Sequence, residues 1–61
     1  MNKNYLLRVY YKSKIMCFWF EQSHIAVKWL GEELNLCPDV KMAMIYDKSG
    51  RLVYKYEKEV I

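Results

Sequence analysis

The sequence is poor in the residues that build reactive sites. Its 61 positions hold one histidine, two cysteines and two glycines. Structural zinc wants four ligands with close pairs such as C-x-x-C. Here Cys17 and Cys37 are twenty positions apart, and His24 stands alone. A disulfide is not expected either, because Cys17 is expected on the sheet face that the helix does not cover and Cys37 at the helix end. A Cys-His nucleophile needs a third group to orient the base, and an oxyanion site. Cys17 and His24 lie seven apart, across a strand end. Gly31 and Gly50 are nineteen apart, so no glycine-rich phosphate loop is present. Asp39 and Asp47 have ordinary reasons to sit in a loop and a turn. No catalytic residue, metal or cofactor is expected, and the chain reads as a non-enzyme.

Long apolar runs are missing too. No segment reaches the roughly 18 apolar residues of a membrane span. The start, Met1-Asn2-Lys3-Asn4, has one lysine, but the apolar residues behind it are broken by Arg8 and Lys12. That pattern is not a signal peptide. With so few cysteines, a reducing cytoplasm is the expected location. The single proline and two glycines leave little room for linkers or disorder. Ten Lys+Arg against seven Asp+Glu give a charge of +3, milder than a dedicated nucleic-acid binder usually shows and of the wrong sign for a DNA mimic.

What the chain does have is apolar and aromatic residues, 54% and 16% of the total. That is the composition of one folded domain over residues 1–61. A chain of this length buries only about 60% of its unfolded surface. Such domains often lean on a disulfide, a metal or a second subunit.

The pattern predicts five elements in the order strand-strand-helix-strand-strand. Tyr5 to Lys12 has apolar residues at 5, 7, 9 and 11, the period of a strand with a core face. Ser13-Lys14 is the expected two-residue turn. Ile15 to Glu21 follows as a strand, opening with six apolar residues in a row. Ser23 is expected to cap a helix. That helix carries Ala26, Val27, Leu30, Leu34 and Cys37 on one stripe, flanked by Trp29, and Pro38 helps to end it. Gly31 inside it implies close helix–sheet packing. Val40 to Asp47 and Arg51 to Lys58 are strands joined by a hairpin, with Asp47 opening a type I turn and Gly50 at the left-handed position. The fold class is α+β: ββαββ, a four-stranded and mostly antiparallel sheet with one helix on one face. The doubly apolar second strand argues for a central place.

Turn geometry fixes which side chains share a face. One face is expected to hold Leu7, Val9, Met16, Phe18, Phe20, Met42, Met44, Leu52 and Tyr54 under the helix. The other holds Leu6, Arg8, Tyr10, Ile15, Cys17, Trp19, Ala43, Ile45 and Val53, among Lys12, Lys41, Arg51 and Lys55. That second face is too apolar for a solvated sheet surface, and large exposed apolar patches usually mark contact surfaces. Leu6, Arg8, Tyr10, Ile15, Cys17, Trp19, Ile45 and Val53 are therefore the expected partner or dimer interface. A homodimer, joined by sheet faces or sheet edges, would ease the small-core problem. The function expected is binding of a protein partner. By analogy of size and character alone, it suits a phage or mobile-element accessory protein that inhibits or modulates a host enzyme or defence system. The alternative is single-stranded nucleic acid, with Tyr10 and Trp19 stacking bases and Lys12, Lys41 and Lys55 meeting phosphates. Membrane association is not expected.

Overall fold

The computed structural model describes residues 3–58. Residues 1–2 and 59–61 lie outside that description, including Met1-Asn2 of the start discussed above. The elements are β1 (Tyr5–Tyr11), β2 (Ile15–Phe20), α1 (Ser23–Leu36), β3 (Val40–Tyr46) and β4 (Leu52–Glu57). This is the expected ββαββ order and an α+β fold. The sheet runs β2-β1-β3-β4, and every neighbouring pair is antiparallel.

The order corrects the central place expected for β2, which is an edge strand. Its first hairpin ties it to one flank of β1. A helix of 14 residues rises about 21 Å, close to the length of a strand of this size. It carries the chain back along the sheet, and β3 pairs with the free flank of β1 as an antiparallel neighbour.

The first turn is Lys12-Ser13, one residue earlier than expected. The Tyr11 N–H donates to the Lys14 carbonyl at 2.8 Å, and Tyr10 pairs with Ile15. A one-residue move of the turn shifts each pairing by two and leaves the faces unchanged. Tyr11 is thereby kept in the strand, where it packs against the core and its hydroxyl donates to Glu33 on α1. The second turn forms as expected. Asp47 N–H donates to Arg51 O at 2.9 Å, Gly50 N–H donates to Asp47 O at 3.0 Å, and Gly50 has φ 88°. That φ suits glycine because an L side chain crowds there.

Seven residues are buried to within 1%: Leu7, Val9, Ala26, Leu30, Val40, Ala43 and Ile45. Each large side chain among them contributes about 1.5–3 kcal/mol. Trp29 extends this core over β2, with its ring 4.5 Å from Phe18 and 6.1 Å from Phe20. Leu34 and Cys37 join the same cluster.

Strand β3 faces the opposite way from the expectation. Its neighbour β1 decides this, for Leu7 pairs with Ile45 and Val9 with Ala43. Since Leu7 and Val9 must face the helix, Ala43 and Ile45 do too, and Met42 and Met44 turn outward. Two bulges make the arrangement continuous. Lys41 is the extra residue between Tyr11↔Val40 and Tyr10↔Met42, which lets Val40 share the core face with Ala43. Val53 is the extra residue between Tyr46↔Leu52 and Ile45↔Tyr54. Met16, Leu52 and Tyr54, expected under the helix, are 38%, 45% and 40% exposed. Tyr54 lies on β4, which α1 does not cover, Leu52 pairs with Tyr46 on the opposite face, and Met16 lies on the edge strand β2.

The helix also departs from expectation at two points. Its N-cap is Gln22, without a side-chain cap bond, and Ser23 is already helical. Gly31 is exposed, and a Cβ there would meet nothing within 4 Å. Close packing against the sheet is not the reason for that glycine.

Candidate interaction surface

On the face turned away from α1, the pairings arrange side chains in three rows across four strands. The first row is Trp19, Leu6, Tyr46 and Leu52. The second is Cys17, Arg8, Met44 and Lys55, and the third is Ile15, Tyr10, Met42 and Glu57. Eight of these twelve are apolar or aromatic by type, with Cys17 as a ninth weakly polar one. Ile15 is 59% exposed and Trp19 54% exposed. Leu6, Arg8, Tyr10, Met42, Met44 and Tyr46 are half-buried by one another.

The electrostatics of the face are local. The Arg8 guanidinium lies 5.7 Å from the Tyr46 ring centroid. The Tyr10 hydroxyl and the Cys17 thiol beside it raise its pKa further above the ordinary range. Tyr46 Oη donates to the Met44 sulfur at 3.1 Å. Lys55 and Glu57 pair at 3.8 Å with both side chains solvated, a contact of little energetic weight.

Six of the eight residues expected at the interface share this face: Leu6, Arg8, Tyr10, Ile15, Cys17 and Trp19. Ile45 does not. It is fully buried under the helix, as is Ala43, because the β1 register commits both to the core. Val53 is an exposed bulge residue on the outer strand, next to Leu52 and without a paired residue on β3. Met42, Met44, Tyr46 and Leu52 take the vacated positions. Only the β1–β3 adjacency identifies them, and no motif in β3 or β4 carries that information.

Of the candidate phosphate contacts, Lys12 and Lys41 line one shallow depression with Tyr10 and Ile15, joined by Lys14. Lys55 sits strands away beside Glu57. The Lys14 Nζ is 5.3 Å from the Tyr11 ring centroid.

A second polar cluster closes the far end of the helix. Burial, and then the bond to Glu33, push the Tyr11 hydroxyl above the ordinary tyrosine range. Glu33 beside the Cys37 thiol also raises its pKa. The bond from Tyr11 to Glu33 ties β1 to α1. Among the described residues no three His, Cys, Asp or Glu side chains are placed to hold a metal ion. No helix there is long and apolar enough to cross a membrane.

No protein-family model, no curated protein and no solved structure matches the chain.

Proposed function

We propose that this protein is a small non-enzymatic binding module that docks a protein partner on the outer face of its sheet and associates with itself. The observation that carries this reading is the row Trp19-Leu6-Tyr46-Leu52 with Arg8 beside it. Aromatics and arginine dominate interface energetics, and methionines such as Met42 and Met44 adapt to varied partner surfaces. A cytoplasmic protein of this kind acts by occupying a partner's surface, as an inhibitor or modulator of an enzyme or defence system of the phage-host type.

The test compares the wild type with Trp19→Ala/Tyr10→Ala, each immobilised and exposed to cell extract. Proteins retained by the wild type are expected to be lost with the double variant, while circular dichroism stays unchanged. Equal retention by a folded double variant places the binding site elsewhere and refutes the reading.

The depression lined by Lys12, Lys14 and Lys41 around Tyr10 favours a second reading, single-stranded nucleic acid. Oligonucleotide titrations separate the two. Affinity that falls steeply with salt supports the second reading, and no binding at low salt removes it.

A further inference from the structure

The two edges of the sheet differ. On the β4 side the edge is blunted by the Val53 bulge and by Lys55 and Glu57. These are devices that discourage strand addition. Strand β2 has none of them. It is six consecutive apolar residues without bulge, charge or proline. The Tyr11–Lys14 bond marks the hydrogen-bonded pairs of the first hairpin, which continue as 9–16, 7–18 and 5–20. The backbone groups of Ile15, Cys17 and Trp19 therefore point outward from the sheet, with β1 the only neighbouring strand among the described residues.

We propose that β2 pairs antiparallel with β2 of a second copy, about a two-fold axis through Cys17, to form one eight-stranded sheet. This rests on the self-association in the function proposed above and names the surface that performs it. A two-fold axis normal to the sheet keeps both helices on the same side and pairs residues of matching face. Centring it on Cys17 engages all three open residues of each strand, with Ile15 opposite Trp19 of the second copy, and forms about six backbone hydrogen bonds. Neighbouring registers leave one open residue unpaired or run it into the bend at Glu21-Gln22. On the helix side Met16, 38% exposed in the single chain, comes opposite Phe18 of the second copy. Charges agree at both ends, where Lys14 falls within one residue of Glu21 of the second copy. The two outer faces then merge, with Trp19 of each chain against Ile15 of the other, so the docking surface is incomplete in one chain alone.

The experiment uses the full chain carrying Cys37→Ser, so that Cys17 is its only thiol. Light scattering on a sizing column measures the mass, and a short bis-maleimide probes Cys17. The expected result is about 15 kDa, twice the 7.5 kDa chain, with efficient Cys17–Cys17 cross-linking at low protein concentration. Cys17→Lys places two like charges on the axis and is expected to halve the mass with unchanged circular dichroism. A dimer that neither cross-links through Cys17 nor responds to Cys17→Lys overturns edge pairing while self-association stands. A 7.5 kDa monomer at high concentration overturns both. If Cys17→Lys does not fold, the cross-linking of the native Cys17 decides alone.

Discussion

Truncating neighbouring residues of β3 decides which face of that strand is the core. Ile45 is fully buried in the cluster with Leu7 and Leu30. Ile45→Ala removes its buried methyl and methylene groups and leaves a cavity, at a cost of about 2–5 kcal/mol. A core of this size rarely supplies more than about 3–5 kcal/mol. The variant is thus expected to be largely unfolded or close to it, and Ile45→Val, at about 0.5–1.5 kcal/mol, serves as the folded counterpart. Met44 is half-buried on the open face beside Tyr46, and Met44→Ala is expected to cost under about 1 kcal/mol. Urea titration followed by tryptophan fluorescence, with the Trp29 ring tilted against Phe18 at the core, reads both. With a slope of about 1 kcal/mol per molar urea, the midpoint falls by about 2 M or more for Ile45→Ala and by less than about 1 M for Met44→Ala. A Met44→Ala midpoint as low as that of Ile45→Ala refutes the register and restores the methionine face as the core.

Gly31→Ala adds a methyl into open solvent-facing space on a helix, and is expected to gain about 0.5–1 kcal/mol. At about 4–8 °C per kcal/mol the melting temperature rises by about 2–8 °C; a fall shows that the position is packed after all. The Asp47 carboxyl is held below its ordinary pKa by the Ser49 hydroxyl and then by backbone N–H groups of the turn. Its contribution to stability is present above the ordinary carboxylate range and is lost as pH falls through the depressed value. Asp47→Ala should therefore lower stability at neutral pH and flatten its decline in acid, as urea melts across pH would show. For Tyr11 the sign is reversed. Its raised pKa means that the fold favours the neutral phenol, so this contribution holds up to the ordinary tyrosine range and fades as pH rises toward the folded value. Absorbance titration of Tyr11→Phe should lack a late-ionising phenol that the wild type shows; identical curves contradict the Tyr11–Glu33 bond.

Much of this architecture is legible in the chain because local signals agree with one another. The Asp47-to-Gly50 turn, the 14-residue helix and the alternation in β1 each specify their own element. The faces of β1 and β2 came through a misplaced turn unharmed, since pairing errors of two residues preserve them. Strand β3 did not, because both of its faces are apolar and its orientation is set by β1, more than thirty positions away. The bulges at Lys41 and Val53 carry no proline or glycine to announce them. An apolar run such as Ile15 to Phe20 looks the same whether buried on both faces or left at an edge, which is why β2 was expected at the centre. Six of the eight expected surface residues share the outer face for the first reason, and Ile45 lies in the core for the second.

Residue-resolved amide hydrogen exchange over a series of protein concentrations tests the proposed contact surface most directly. In dilute solution the amides of Met16, Phe18 and Phe20 should be protected by β1, and those of Ile15, Cys17 and Trp19 open. As concentration rises, Ile15, Cys17 and Trp19 are expected to gain protection. Exchange at these three that does not depend on concentration, or new protection confined to the exposed helix positions Ile25 and Val27, contradicts it.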